Sequence, residues 1–320
     1  MNDSNASHNT GYINRRKPTL SHRIEYAATR LVVAALRLLG WRTASSIGGR
    51  LARLAYWPLG IRRGVTTRQI AAAFPEKPPD EVKRIAMASY DSLGRTSIET
   101  AILPGTKASE ILSRIERVDG WEHVERTLAE GRGLIIVTGH IGNWEIGGAY
   151  MAARGIAFDA VARGMANPIF EKWVNRTRSD IGMEVIHDQD AVRRTPRSLR
   201  ANRAVAFVSD HDALSLASTY VPFFGRPART PRGPGVFALR FEAPILFMVC
   251  IRMPSGRYVI FVEPIEIAPS GNREADVDAI MLRFTELLEE KVREYPEQYF
   301  WQHRRWRRQP PDTPPHLREP

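Results

Sequence analysis
The sequence predicts an α/β fold, a mainly parallel sheet flanked by helices, with a basic, amphipathic helical region at the N-terminal end. From residue 134 onward, short apolar runs rich in Val, Ile and Phe alternate with segments of helical periodicity, the pattern of strands joined by crossover helices. The chain has 320 residues and 43% hydrophobic content, enough for one sizeable core. The stretch YAATRLVVAALRLLGW, residues 26 to 41, places Arg30 and Arg37 on one helix face and leaves Leu, Val and Ala on the others.

Four parts are expected. Residues 1–20 are polar and expected to be disordered, without the apolar segment and cleavage site of a secretory leader. Residues 21–62 form the helical region, where RLARLAYWPLGIRR adds aromatic residues and further arginines. A basic amphipathic helix with a Trp near its end suits a membrane interface, although no stretch reaches the ~18 apolar residues of a spanning helix. The alternative is an ordinary helix packed on the core. Residues 63–308 are expected to form one domain, and residues 309–320 an unstructured Pro-rich tail.

Within the domain, TTRQIAAAF and PPDEVKRIAMASYDSLGRTSIET read as helices, the second opened by Pro and acidic residues. WEHVERTLAE is a helix closed by GRG. Then LIIVTGH is a strand, NWEIGGAYMAARG a helix and IAFDAVAR a strand. NPIFEKWVNRTRSDIG is a helix with Asn167 as cap and Pro168 at its first position. MEVIHD is a strand, AVRRTPRSLRAN a helix and AVAFVSDHD a strand. A Gly/Pro/Arg-rich segment, FFGRPARTPRGPG, leads through a short helix to PILFMVCIR and YVIFVEPIEI, a hairpin around PSG. Residues 275–294 form a long helix.

The formal charge is +11 and the sequence pI about 10.1, with Arg supplying most of the positive charge. Such a surface is drawn to anionic partners. The lone cysteine, Cys250, sits in an apolar run and reads as core; no disulfide framework or cysteine zinc site is available within one chain.

The chemistry-bearing stretch is GLIIVTGHIGNWEIGG, residues 133 to 148. His140 falls at the carboxyl end of a strand, where open α/β sheets collect their functional groups. Asn143 can cap the following helix, which puts Glu145 in its first turn. A His just before a helix and a Glu in its first turn can face each other. The Glu145 carboxylate would hold one imidazole nitrogen and leave the other as a general base. The alternative is a His and an acid that merely cap a helix. Arg226, Arg229, Thr230 and Arg232 sit in the Gly/Pro-rich segment and suit anionic headgroup phosphates, unless that loop is simply solvated. His303, Arg304, Arg305, Trp306, Arg307 and Arg308 form a basic aromatic cluster suited to an acidic carrier protein, a lipid surface or nucleic acid.

TGHIGNWE resembles the central motif of the bacterial lipid A biosynthesis (late) acyltransferase family, which carries His, four residues, then Asp or Glu. VARGMANPIF resembles the family's stretch with an important Arg near Asn-Pro, here Arg163 with Asn167 and Pro168. VSDHDA resembles its Asp-x-Asp segment, here Asp210 and Asp212. VPFFGRPARTPRGP and YPEQYFWQHRRWRRQP resemble its remaining segments. The pieces come in the family's order over residues 20 to 308.

The resemblance implies a glycerolipid acyltransferase-like fold and O-acyl transfer from a thioester to a glycolipid hydroxyl. The donor would be acyl carrier protein and the acceptor a lipid A precursor, at the cytoplasmic face of the inner membrane. His140 would be the base, Glu145 its partner, and Arg163 a stabiliser of the oxyanion or a phosphate clamp. Asn143, Asn167, Asp210, Asp212 and the basic loop would bind or position substrate. No G-x-S-x-G occurs, so direct transfer without an acyl-enzyme is expected, with no cofactor, no metal and no nucleic acid partner. An acyl-CoA-dependent phosphatidylinositol mannoside acyltransferase is the alternative within the chemistry. A non-catalytic basic membrane- or nucleic-acid-binding protein, or a thioesterase, is the alternative outside it.

Overall fold
The computed structural model describes residues 18–180, 182–211 and 217–320. Of residues 1–20, expected to be disordered, residues 1–17 lie outside the described residues, whereas Thr19 caps the first helix and Leu20 begins it. The N-terminal region is helical: α1 (Leu20–Leu38), α2 (Trp41–Tyr56), α3 (Arg63–Ala73) and α4 (Pro79–Ile102). Thr19 and His22 form a reciprocal capping box at the start of α1. Pro79, Asp80 and Glu81 open α4, where a missing N–H and acidic groups both suit a helix N-terminus. Helices α2 and α4 cross in close contact because both are glycine there. A Cβ on Gly94 would lie 2.2 Å from the carbonyl oxygen of Gly48.

Then follow α5 (Ala108–Arg114), β1 (Ile115–Asp119), α6 (Trp121–Ala129), β2 (Leu134–Thr138), α7 (Trp144–Ala153), β3 (Phe158–Ala162), α8 (Pro168–Asp180), β4 (Met183–His187), α9 (Ala191–Arg200) and β5 (Ala204–Val208). A hairpin of β6 (Ser218–Phe223) and β7 (Arg226–Pro231) precedes α10 (Gly233–Phe241), β8 (Ile245–Arg252), β9 (Tyr258–Pro264) and α11 (Arg273–Glu294). Among the described residues, seven strands form one sheet in the order β1-β9-β8-β2-β5-β3-β4. All pairings are parallel except the β8–β9 hairpin. Strands β2, β5 and β8 are buried nearly throughout, as a sheet covered on both faces requires.

The two faces of the sheet have different jobs. Ile135, Val137, Val205, Phe247, Val249 and Ile251 turn into a large core with α10, α11 and the C-terminal aromatics Trp301 and Trp306. Ile136, Ala206, Phe158, Met248 and Cys250 alternate to the opposite face, toward Ile146, Ala149 and Tyr150 of α7.

Two departures from the sequence expectation lie in the C-terminal half. The Gly/Pro/Arg-rich segment is a regular antiparallel hairpin, with Phe223 paired to Arg226 across Phe224 and Gly225. Both turn residues have positive φ, +50° and +70°, as a two-residue primed turn demands. The Pro-rich tail is folded rather than unstructured. Arg226 Nη1 donates to the Arg318 carbonyl at 2.8 Å, and Gln309 Nε2 donates to the Leu317 carbonyl at 2.7 Å.

Candidate active site
The loop from Gly139 to Asn143 joins the carboxyl end of β2 to α7. It is wedged between the end of β8 and the segment after α11. Gly142 N–H donates to Gln298 O at 3.0 Å, Asn143 N–H to Cys250 O at 2.8 Å, and Phe300 N–H to His140 O at 3.0 Å. Gly142 has φ +61°, and an added Cβ would lie 2.1 Å from Cys250 O, so only glycine fits. Asn143 caps α7, its Oδ1 accepting from Ile146 N–H at 3.1 Å.

His140 is held by Asp210, at the carboxyl end of β5 next door. Its Nδ1 lies 2.7 Å from Asp210 Oδ1, and its backbone N–H donates to Asp210 Oδ2 at 2.9 Å. An ionised carboxylate only accepts, so Nδ1 carries a proton, and in the neutral ring Nε2 is the nitrogen with the free lone pair. Asp210 is fully buried. Burial alone would raise its pKa, but the imidazoles of His140 and His211 and the two bonds from His140 bring it well below the usual carboxylate range.

This corrects the expected pairing. The Glu145 carboxylate forms a two-pronged ion pair with the Arg178 guanidinium of α8, whose Nε is 3.3 Å from Glu145 Oε2. Spacing along the chain brings Glu145 near the loop, but sheet register brings Asp210 to the ring, because β2 and β5 pair with Thr138 opposite Val208. Glu145 and His140 nevertheless line one cavity of about 690 Å³. Its apolar floor is Ile136, Phe158, Ala160, Met183, Ala206 and Met248, roofed by Gly147 and Gly148 of α7. Its polar wall includes Arg163, Arg178, Asp188, Arg304 and Arg307. The rim therefore carries charge while the interior is shaped for an alkyl chain.

Trp144 packs edge-on against His140 at 4.7 Å. On the other side, His211 stacks on His140 at 3.6 Å with a 10° tilt, and His303 stacks on His211 at 3.8 Å. Burial first, then the neighbouring His140, His303 and Arg305, hold the His211 pKa well below its ordinary value against the pull of Asp210, so it stays neutral. His140, Asp210 and His211 offer three ligand-type atoms within 4.8 Å of one another. Rings stacked 3.6 Å apart keep their in-plane lone pairs in separate, nearly parallel planes, a poor arrangement for both to aim at one ion. Burial likewise pushes the Cys250 thiol well above its usual pKa, which leaves it an inert part of the cavity wall.

Behind the loop lies a buried ionic network. Glu99 of α4 pairs with Arg252 at the end of β8, at 2.5 Å. It also accepts from Ser45 at 2.6 Å and from Asn143 Nδ2 at 2.8 Å. Thr96, one turn earlier on α4, donates to Gly142 O at 2.9 Å. Burial raises the Glu99 pKa, but Arg252 outweighs that and the net shift is downward. The helical region and the Gly139–Asn143 loop are thus one hydrogen-bonded unit.

The other residues expected to bind substrate are placed as follows. Arg163 is exposed, just beyond β3, and lines the cavity. Asn143 is buried in its cap and in the bond to Glu99. Asn167 caps α8, accepting from Ile169 and Phe170, and ties it to α1 through His22 O and Glu25. Thr230 is buried and accepts from Arg305 at 2.7 Å. Arg232 is paired with Glu274 and Asp278 of α11. Arg226 supports the tail, and Arg229 sits on β7 with its carbonyl accepting from Arg305 at 2.6 Å. Apart from Arg163, none of these side chains lines the cavity. Asp212 lies outside the described residues. Arg178 and His211 have no advance signal in the sequence beyond their general basicity, whereas Arg304 and Arg307 belong to the basic aromatic cluster that the sequence singles out.

A histidine held by a buried carboxylate, beside an apolar cavity with a basic rim, is an arrangement able to activate a hydroxyl next to a long apolar chain. The chain belongs to the bacterial lipid A biosynthesis acyltransferase family, whose model matches residues 13–308. It is similar to a phosphatidylinositol mannoside acyltransferase of Mycobacterium tuberculosis (strain ATCC 25618 / H37Rv), 27% identical over 267 residues that cover 82% of each chain. It is equally similar to the lipid A biosynthesis lauroyltransferase of Escherichia coli (strain K12), 27% identical over 278 residues, 84% of this chain and 86% of that one. The lipid A biosynthesis palmitoleoyltransferase of the same organism is 25% identical over 268 residues, 82% of this chain and 85% of that one. The protein is an enzyme that transfers acyl groups.

Proposed function
We propose that the protein moves a fatty acyl chain from the thioester of acyl carrier protein onto a hydroxyl of a lipid A precursor, by direct transfer. The observation that carries this reading is the His140–Asp210 pair at the rim of an apolar cavity. His140 Nε2 takes the proton of the acceptor hydroxyl as its oxygen attacks the thioester carbonyl. The imidazolium formed is held by Asp210 and then returns its proton to the departing thiolate. General-base help of this kind is worth ~10²–10⁴ in rate. Arg163 and the first N–H groups of α7 offer positive charge to the oxyanion. The acyl chain lies on Ile136, Ala160, Ala206 and Met248, beneath Gly147 and Gly148.

A second acceptor is kept open by a specific observation. The phosphatidylinositol mannoside acyltransferase of Mycobacterium tuberculosis (strain ATCC 25618 / H37Rv) and the lauroyltransferase of Escherichia coli (strain K12) are each 27% identical to this chain. An acyl-CoA donor with a phosphatidylinositol mannoside acceptor uses the same His–Asp chemistry.

Peripheral attachment to the cytoplasmic face of the inner membrane fits the surface. No helix among the described residues is long and apolar enough to cross a membrane. Leu31, Val32 and Leu38 of α1, Leu51 of α2, and Trp57 and Leu59 just beyond are all exposed, beside many arginines. Incubation of the purified protein with labelled acyl carrier protein or acyl-CoA and each candidate acceptor tests the reading. Acylated lipid A precursor is the product expected. Free fatty acid released at full rate without acceptor would instead make the protein a thioesterase.

A further inference from the structure
Residues 309–320 lie beyond the stretch matched by the family, and they reach the rim of the reaction cavity. Arg304, which lines that rim with Arg307, meets Glu319 through Nε and Nη2, each 2.5 Å from a carboxylate oxygen. This is the two-pronged geometry by which a guanidinium grips a carboxylate or a phosphate. The tail does not depend on that ion pair for its position. Arg226 and Gln309 bind the carbonyls of Arg318 and Leu317, Arg318 Nε donates to Thr313 O at 3.1 Å, and Thr313 is buried. The Arg304 and Glu319 side chains are 45% and 22% exposed, so their pairing is weak and readily exchanged for another anion.

We propose that Arg304, with Arg307 beside it, is a phosphate-binding subsite of the reaction cavity, and that Glu319 fills it until substrate arrives. The inference rests on the acyl-transfer reading for its substrates, both of which can carry phosphate close to the reacting atoms. The donor has the phosphodiester of its pantetheine arm, and the acceptor can have a headgroup phosphate. Either would displace the Glu319 carboxylate from the same fork. The tail is then a built-in competitor that holds the rim in its charge-satisfied form.

The test compares the full chain with Glu319→Gln, Arg304→Ala and the double variant. Each KM is measured at saturating co-substrate. Glu319→Gln should lower one KM by about two- to fivefold, the scale of an exposed ion pair, with kcat unchanged. Arg304→Ala should raise that same KM, and adding Glu319→Gln to it should change nothing further. The KM that moves identifies the source of the phosphate, donor or acceptor. A second arm needs no catalysis: calorimetric binding of inorganic pyrophosphate should tighten in Glu319→Gln and weaken in Arg304→Ala. Equal KM values and equal pyrophosphate binding in the native and Glu319→Gln proteins would overturn the subsite. If no protein transfers acyl groups while the pyrophosphate arm behaves as stated, the reaction reading falls and the subsite stands.

Discussion

At the scale of single residues, the site turns on which acid holds His140. Asp210 takes both the ring Nδ1–H and the backbone N–H of His140, whereas Glu145 is spent on Arg178. Asp210→Asn keeps the shape but can leave the proton on the wrong ring nitrogen. It should cost ~10²–10⁴ in kcat, close to the loss from His140→Ala, with both variants folded. Circular dichroism alongside the transfer assay checks both points. The buried, neutral His211 makes a second prediction. Its pKa is depressed in the folded protein, so as pH falls below about 6.5 the unfolded chain takes a proton that the folded one refuses. Stability is unaffected by this group above that pH and declines below it, by up to about 1.4 kcal/mol per pH unit. His211→Gln should flatten that part of the profile in denaturant titrations between pH 7 and 5. A native-like slope in the variant would show that His211 titrates freely. Of the residue-level chemistry, His140 is legible in the sequence because a His flanked by glycines ends an apolar run. Its partner is not, because Asp210 is seventy positions away and strand order is invisible in a single chain.

At the scale of elements, the loop that carries His140 is positioned by parts that look unrelated to it in sequence. Glu99 of α4 is buried and bonded to the largely covered Arg252 of β8, and Glu99 reaches Asn143 while Thr96 reaches Gly142. Removing one partner leaves the other charge buried without compensation. Arg252→Met should therefore cost ~3–5 kcal/mol of stability, read from the urea midpoint. The roof helix makes a prediction about specificity. A Cβ on Gly148 would stand 2.7 Å from Met183 Cε and 3.2 Å from Phe158, at one wall of the cavity. Gly148→Ala should shift donor preference toward shorter chains, measured as kcat/KM across a series of acyl thioesters. The crossover strands and helices are legible because apolar runs of five residues alternate with capped helices. Strand β1, IERVD, is not, since its edge position leaves charged residues on it. The β6–β7 hairpin hides behind Pro222, Pro227 and Pro231, which argue against a strand, although a two-stranded ribbon tolerates them.

At the scale of the whole molecule, charge and apolar surface are divided between different places. The cavity rim is basic, the cavity floor is apolar, and α1 and α2 expose leucines on the outside while α4 ties them to the His140 loop. Leu31→Asp with Val32→Asp should cut sedimentation with anionic vesicles several-fold while leaving the fold unchanged, because both residues are exposed. The helical nature of residues 21–62 is legible from periodicity. The folded tail is not, because proline-rich composition carries no sign of the carbonyls that Arg226 and Gln309 engage. The most direct test of the central claim is a transfer assay with purified native, His140→Ala, Asp210→Asn and Glu145→Gln proteins, using a labelled acyl thioester and a glycolipid acceptor. The result expected is acylated glycolipid from the native enzyme and near-complete loss in both His140→Ala and Asp210→Asn. Transfer at the native rate by His140→Ala would contradict it.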